Sequence, residues 1–297
     1  MELFDVIILG GSYAGLAAGL QLARARRKIL VIDAGQRRNR FASHSHGFLT
    51  RDGEDAAAIA AIAREQLAAY KTVHWQAEEA TAVEKGETGF RVQIKTGTTM
   101  EGKRLILATG VTDILPAVPG VAERWGRHIF HCPYCHGYEL EQGKIGVLAT
   151  SPLSMHQALM LPDWGETTLL LNGAFEPDAE QLAQLERRGV TLEREGVERI
   201  ENKADAVLKR GRVLAFAGLF TASRTEPSSP VAAQLGCEME ETPMGCIVRT
   251  DAMKATSVPG VFACGDLARA AGSVSHAVGD GVSAGVAAHH SLISNPL

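Results

Sequence analysis

Short apolar runs alternate with stretches rich in alanine and leucine along the first third of the chain. Phe4-Asp5-Val6-Ile7-Ile8-Leu9 is apolar at nearly every position, which suits a strand buried on both faces of a parallel sheet. Leu16 to Ala25 predicts a helix, and Lys28 to Asp33 predicts a second strand ending on an acid, so the chain opens on a βαβ unit. Arg37 to Gly53 is polar and has no period, and reads as a long functional loop. Asp55 to Ala69 reads as an alanine-rich helix. Thr81–Val83 and Phe90–Lys95 read as strands of a small antiparallel sheet, and Arg104–Ala108 as another buried strand. Pro116, Pro119 and Gly120 then break the pattern and mark a domain crossing. A second βαβ pattern follows: strand Gly143–Leu148, helix Met155–Leu161, strand Thr167–Leu171. Phe216–Thr221 with Pro227 and Pro230 marks the return crossing, before a strand at Gly260–Ala263 and a helix over Gly272–His289. The pattern predicts an α/β protein with two copies of one nucleotide-binding fold, one inserted into the other.

Composition narrows the partners. The 297 residues are 45% hydrophobic and 22% charged, ordinary for a globular chain and incompatible with disorder or a collagen-like repeat. A net charge of −4 offers no general attraction to nucleic acid or to an anionic membrane. No apolar run approaches the roughly 20 residues that span a bilayer. Five cysteines do not make a disulfide scaffold, and the acidic start Met1-Glu2-Leu3-Phe4-Asp5 is unlike a signal peptide. The expectation is a soluble cytoplasmic protein in a reducing compartment, with no nucleic-acid or membrane partner.

The turn after the first strand carries a dinucleotide fingerprint with Gly10, Ser12 and Gly15 in its three slots and Gly11 beside the middle one. The first slot makes the turn, the second lets the backbone approach a pyrophosphate, and the third lets helix and strand pack. Asp33, about 20 residues on, stands where a carboxylate meets ribose hydroxyls. Two distant pieces favour FAD over NAD. Ala108-Thr109-Gly110 closes one strand, and Cys264-Gly265-Asp266 closes another just before a Gly-rich helix whose start, near Ser273 and Val274, can face a flavin pyrimidine.

The remaining chemistry is at Cys132-Pro133-Tyr134-Cys135, where two intervening residues let the sulfurs meet without strain. His131 and His136 flank the pair, and neighbouring imidazolium lowers a thiol's pKa. The same residues match a c-type haem attachment pattern, which would require export. With His128 they also offer zinc ligands, though without a distant second pair. Cys237, Cys246 and Cys264 have no partner spacing and read as small core residues.

Together, Gly10–Gly15, Ala108-Thr109-Gly110, Cys132-Pro133-Tyr134-Cys135 and Cys264-Gly265-Asp266 make the whole chain resemble the low-molecular-weight thioredoxin reductases, FAD-dependent pyridine nucleotide-disulfide oxidoreductases. The resemblance implies a discontinuous FAD domain, 1–113 and 223–297, with a second Rossmann-like domain, 114–222, inserted and carrying the redox cysteines. It also implies a homodimer. By the same resemblance the FAD contacts come from Gly10, Ser12, Tyr13, Ala14 and Gly15; from Asp33, Ala34 and Gly35; from Arg38, Asn39, His46, Gly47 and Asp52 in the long loop; and from Ala80, Thr109, Gly110, Gly265, Asp266, Ser273 and Val274. His276 either touches the flavin edge or caps its helix. Cys135 is expected to exchange electrons with the flavin and Cys132 with the substrate. Relatives carry Asp after the second cysteine; His136 fills that slot here, with Glu139 nearby, and an imidazole suits proton transfer near neutral pH.

The second βαβ departs from the reductases. Ala149-Thr150-Ser151-Pro152-Leu153-Ser154 has no glycine in any fingerprint slot, and Gly165 to Leu185 has no Lys or Arg to meet a 2′-phosphate, only Glu176, Asp178 and Glu180 among its later charges. NADPH is therefore expected to be a poor donor. The combination is similar to a subgroup of dithiol oxidases that close disulfides in small molecules. The substrate expected is a small dithiol or disulfide, or a thioredoxin-like protein; NADPH-dependent reduction of a thioredoxin disulfide and a non-catalytic flavoprotein sensor are the alternatives.

Overall fold

A computed structural model describes residues 2–87 and 89–294. Along the chain run β1 (Leu3–Leu9), α1 (Tyr13–Arg24), β2 (Ile29–Ile32), β3 (His44–Ser45), β4 (Glu54–Asp55), α2 (Ala56–Ala68), β5 (Val73–Gln76), β6 (Ala80–Gly86), β7 (Gly89–Ile94), β8 (Thr99–Leu107) and β9 (Val111–Ile114). Next come β10 (Ile129–Phe130), α3 (Pro133–His136), β11 (Gln142–Leu148), α4 (Ser154–Met160), β12 (Gly165–Leu170), α5 (Ala179–Arg187), β13 (Thr191–Glu193), β14 (Val197–Glu201), β15 (Asp205–Leu208), β16 (Val213–Leu214) and β17 (Gly218–Phe220). The chain closes with β18 (Arg224–Pro227), α6 (Val231–Gln234), β19 (Met239–Thr242), β20 (Gly245–Val248), β21 (Val261–Ala263) and α7 (Val274–Ser294). Contacts divide it into two compact units: Met1–Arg40 with Asp55–Thr112 and Thr225–Leu297, and Phe41–Glu54 with Asp113–Arg224.

The first unit is built on a sheet in the order β5-β2-β1-β8-β7-β6, with β21 also on β8. β5, β2, β1, β8 and β21 run parallel, and β6 and β7 add an antiparallel edge. β1 and β2 are uniformly apolar over their paired residues because both faces are covered. Val6, Ile8, Ile29 and Val31 pack towards α1 and α7, while Ile7, Leu9, Leu30 and Ile32 face the opposite core with Val83, Val92 and Val248. Each such side chain taken out of water contributes about 1.5–3 kcal/mol. Small residues let α1 and α7 approach closely: a methyl group on Gly281 would lie 2.1 Å from the Ala14 carbonyl oxygen. Asp280, buried on α7, is held by Lys254 at 2.8 Å and Arg269 at 2.9 Å. Burial opposes its charge, but the bonds from Arg269 and Lys254 outweigh that and hold its pKa below the ordinary carboxylate value.

The second unit carries a five-stranded parallel sheet, β10-β17-β11-β12-β13. One face packs Ile145, Val147 and Leu169 against Met155, Ala158 and Leu185. On the other, Leu148, Leu170 and Leu219 meet Val197, Ile200, Ala206 and Leu208 of the antiparallel sheet β14-β15-β16. Helix α5 starts with a capping box, Asp178 accepting the Gln181 amide at 2.8 Å while Gln181 accepts the Asp178 amide at 3.0 Å.

Several boundaries differ from the pattern reading, among them β8, which starts at Thr99 rather than Arg104. The first helix begins at Tyr13 rather than Leu16, because the helix follows the fingerprint turn directly, and the last continues beyond His289 to Ser294. The loop Phe41–Glu54 groups with the second unit, not with the residues that flank it in sequence.

Candidate active site

In the first unit the fingerprint turn fits tightly between neighbouring strands. Gly10 has φ +99°, and a methyl group there would sit 2.3 Å from the Ala108 carbonyl oxygen; on Gly15 it would sit 1.9 Å from the Gly10 oxygen. The middle slot needs no glycine: Ser12 takes it in extended conformation and opens α1 without a side-chain cap. An uncapped helix start of this length directs its first amides at an anion. Asp33 accepts the Gly11 amide at 3.0 Å, so its carboxylate stands at the turn.

The same unit brings other predicted residues together. Arg38 donates to Asp266 Oδ2 at 2.9 Å. Asn39 donates to the Tyr13 hydroxyl at 3.2 Å, and that hydroxyl donates to the Ala56 carbonyl at 2.9 Å. Asn39 Oδ1 and Arg37 Nε are buried without a partner among the described residues, which leaves one acceptor and one donor for a polar ligand. A methyl group on Gly265 would lie 2.9 Å from Ala14 Cβ, so the Cys264–Asp266 turn abuts the start of α1. Gly110 has φ +68°, and its carbonyl accepts the Ser228 amide. The Ser273 hydroxyl accepts the amide of exposed His276, an ordinary cap for the start of α7. Ala34 and Gly35 are exposed after β2, Val274 begins α7, and Ala80 begins β6, packed against the core. A tight glycine turn, an uncapped helix and orphaned polar atoms fit a dinucleotide. Cys264 lies fully buried beneath, its thiol pushed up to about 12 by burial and by the nearby Asp280 charge, and is chemically inert. Cys237 is also buried, while Cys246 is only half-buried in β20.

In the second unit, Cys132 precedes the single turn of α3, and the Cys132 and Cys135 sulfurs lie 2.6 Å apart. Tyr134 between them is 73% exposed, its ring edge-on to Trp164 at 5.3 Å. Trp164 also sets how α3 ends, since a methyl group on Gly137 would lie 2.7 Å from its ring. Buried Gln157 on α4 donates to the His131 carbonyl at 2.7 Å, fixing the residue before Cys132, and its Oε1 has no partner among the described residues. The His131 ring lies 3.4 Å from the Ser223 hydroxyl, which donates to Asp113 at 3.0 Å.

His136 lies flat on Phe130, ring centroids 4.4 Å apart. Burial there, with a smaller contribution from His46, pushes its pKa down to about 4. A ring held at that pKa is uncharged near neutrality. His46, Gly47 and Asp52 are beside this redox segment, in the second unit. His46 Nδ1 lies 3.4 Å from Glu139 Oε1 and 3.9 Å from Asp52 Oδ1, and Asp52 also accepts the Gly47 amide at 2.7 Å. Among the described residues no group of three or more His, Cys, Asp or Glu is arranged to hold a metal ion. No described helix is long and apolar enough to cross a membrane. Phe130, Gln157 and Trp164 escaped the sequence reading, for each meets the redox segment through the fold and carries no local signal.

The β11–α4 turn contrasts with the β1–α1 turn. The Thr150 amide donates to Ser154 Oγ at 3.1 Å and the Leu153 amide to Ser151 Oγ at 3.3 Å. Ser154, Met155 and His156 donate to the Ser151, Pro152 and Leu153 carbonyls. Beyond β12, Glu176 pairs with Arg194 and the Asn172 side chain accepts the Val197 amide.

The fold and the paired cysteines define a flavin-dependent thiol/disulfide oxidoreductase with two Rossmann-like domains. The family profile of the pyridine nucleotide-disulphide oxidoreductases matches residues 4–281, and the chain belongs to that family as a thioredoxin reductase-like FAD enzyme. It is 33% identical to the thioredoxin reductase sirT of Leptosphaeria maculans, over 96% of this chain and 93% of that protein. Among solved structures it is similar to an oxidoreductase from Agrobacterium tumefaciens, with 56% identity, a TM-score of 0.97 and full coverage of both chains. It is also similar to HlmI, with 34% identity, a TM-score of 0.91, and 98% of this chain and 93% of the other covered.

Proposed function

We propose that this chain oxidises a dithiol to a disulfide through Cys132 and Cys135 and does not draw its electrons from NADPH. The observation that carries this direction is the β11–α4 turn. The Thr150 and Leu153 amides are taken up by the Ser154 and Ser151 hydroxyls and those of Ser154, Met155 and His156 by local carbonyls, which supports a turn unsuited to a pyrophosphate. Pro152 has no amide to give.

The FAD site proposed is the set formed by Gly10, Ser12, Tyr13, Ala14, Gly15, Asp33, Ala34, Gly35, Arg38, Asn39, Ala80, Thr109, Gly110, Gly265, Asp266, Ser273 and Val274, all in the first unit. Supporting it are the orphaned Asn39 Oδ1 and the uncapped start of α1. FAD, when bound, supplies a two-electron couple that links the dithiol to a terminal acceptor, oxygen in this direction. Cys132 exchanges with the substrate, and Cys135 is its partner on the cofactor side. Gln157 holds the backbone ahead of Cys132, and His136 supplies a neutral imidazole beside Cys135. The substrate class is a small dithiol or a thioredoxin-like protein; the enzyme acts as a homodimer in the cytoplasm.

One observation favours a second reading, NADPH-dependent reduction of a thioredoxin disulfide: sirT is named a thioredoxin reductase. An oxygen electrode separates the two. With dithiothreitol as substrate, oxygen uptake should match disulfide formed and peroxide released, and should vanish in Cys135→Ser. No uptake with a dithiol, together with NADPH-driven reduction of a thioredoxin disulfide, would reverse the direction.

A further inference from the structure

Among the described residues Asp280 is the only buried carboxylate, 5% exposed on α7. A charge in that position is expensive unless it is paired. Replacing such a group and its partners by apolar residues is often neutral or stabilising, so stability alone is a poor reason for its presence. Its partners supply another. Arg269 meets it with two bonds, Nε to Oδ2 at 3.1 Å and Nη2 to Oδ1 at 2.9 Å. Lys254 Nζ lies 2.8 Å from Oδ1. Lys254 also holds a left-handed backbone, φ +67°, which is strained for a residue with a side chain. In that conformation its carbonyl accepts the Ala263 amide at 3.0 Å while its amine reaches Asp280.

Ala263 ends β21, and Gly265–Ala268 then form one 3₁₀ turn that Arg269 closes. One carboxylate on α7 therefore ties down both flanks of this segment. Ala263, three residues before Asp266, is tied through Lys254, and Arg269, three residues after it, is tied directly. Between the ties the Asp266 carboxylate meets Arg38 at 2.9 Å. A methyl group on Gly272 would lie 2.0 Å from Asp266 Oδ1, so the carboxylate has little room to turn. The segment and α7 meet the fingerprint helix at one residue: methyl groups on Gly265 and Gly281 would lie 2.9 Å from Ala14 Cβ and 2.1 Å from the Ala14 carbonyl oxygen.

We propose that Asp280 is a positioning residue of the cofactor site: through Lys254 and Arg269 it fixes the segment Cys264 to Arg269 so that Asp266 stands at the start of α1 to meet FAD. This rests on the reading of Asp266 as an FAD contact. Asp280 is buried and acts only through its two cations.

The test titrates the whole chain, stripped of flavin, with FAD, follows quenching of flavin fluorescence, and records a thermal midpoint for each apoprotein. Asp280→Asn keeps the shape and removes the charge, and should weaken FAD binding about tenfold. In an Asp266→Asn background, itself weakened, the same change should cost less than about twofold, because the anchor then has nothing to position. Asp280→Asn strands two cations and lowers stability, so a second variant carries Lys254→Met as well. That pair should regain most of the thermal midpoint and still bind FAD weakly; if Asp280→Asn alone is too unstable to titrate, the comparison with Asp266→Asn is made on the pair. Wild-type FAD affinity in Asp280→Asn, an equal loss with and without Asp266, or affinity restored together with the midpoint in the pair would each overturn the proposal. Asp266→Asn that binds FAD like wild type would instead fail the reading of Asp266 as a contact, and the proposal with it.

Discussion

The Thr150 amide donates to the hydroxyl of fully buried Ser154 at 3.1 Å. That bond closes the turn where a nicotinamide nucleotide would place its pyrophosphate. A lost charge-assisted hydrogen bond costs about 1.5–3 kcal/mol, and each 1.4 kcal/mol is about tenfold in affinity. Several such losses predict NADPH binding no tighter than roughly millimolar. Titration calorimetry on the FAD-loaded enzyme checks this; a micromolar dissociation constant would contradict it.

His136 carries a pH dependence into stability. Its folded pKa, about 4, lies below the ordinary histidine value of 6.5 because burial on Phe130 disfavours the charged ring. The unfolded chain therefore binds more protons between those values. Stability is complete above about pH 6.5 and is lost as pH falls towards 4. The slope is at most about 1.4 kcal/mol per pH unit, reduced by the ring's partial exposure. His128 and His289 are also pushed down, chiefly by burial, and add to it. Urea midpoints at pH 7.5 and 5 should differ less in His136→Phe than in wild type; equal losses would refute the argument.

Gly15 cannot accept a side chain without displacing the Gly10 carbonyl, 1.9 Å away. The wild-type protein should be yellow with one FAD per chain. Gly15→Ala should bind FAD at least about tenfold more weakly, equivalent to about 1.4 kcal/mol. The flavin-to-protein absorbance ratio and chromatography of the released cofactor measure both. A variant that retains full FAD occupancy, or wild type that releases FMN, would contradict the site.

The two cysteines should behave unequally. Cys135→Ser leaves Cys132 to attack a small disulfide such as hydroxyethyl disulfide, and the mixed disulfide should persist because its resolving partner is gone. Cys132→Ser should form little adduct. Intact-mass spectrometry after acid quench reads the difference, and the reverse pattern would exchange the two roles.

The βαβ openings were legible because their signals are local: apolar runs at β1 and β2, glycines between, an acid after. The β11–α4 turn was legible by what it lacks, yet the capture of Thr150 by Ser154 is a side-chain geometry that no spacing encodes. β14–β16 went unread because their short pairs mix charged and apolar residues, and burial against Leu148 and Leu170 decides their faces. His46 and Glu139 are 93 residues apart in sequence, and Phe130 meets His136 only when β10 and α3 are placed. The surroundings of the redox segment depend on such meetings, so its cysteine pair could be read while the packing of His136 could not.

In the proposed function, electrons enter from a dithiol at Cys132–Cys135 rather than from NADPH. Anaerobic mixing of the purified yellow protein with dithiothreitol, NADPH and NADH in separate experiments, followed at the flavin absorbance, tests it most directly. The expected result is bleaching by dithiothreitol, little change with either nucleotide, and recovery of colour on admitting air. Rapid bleaching by micromolar NADPH, with none by dithiothreitol, would contradict it.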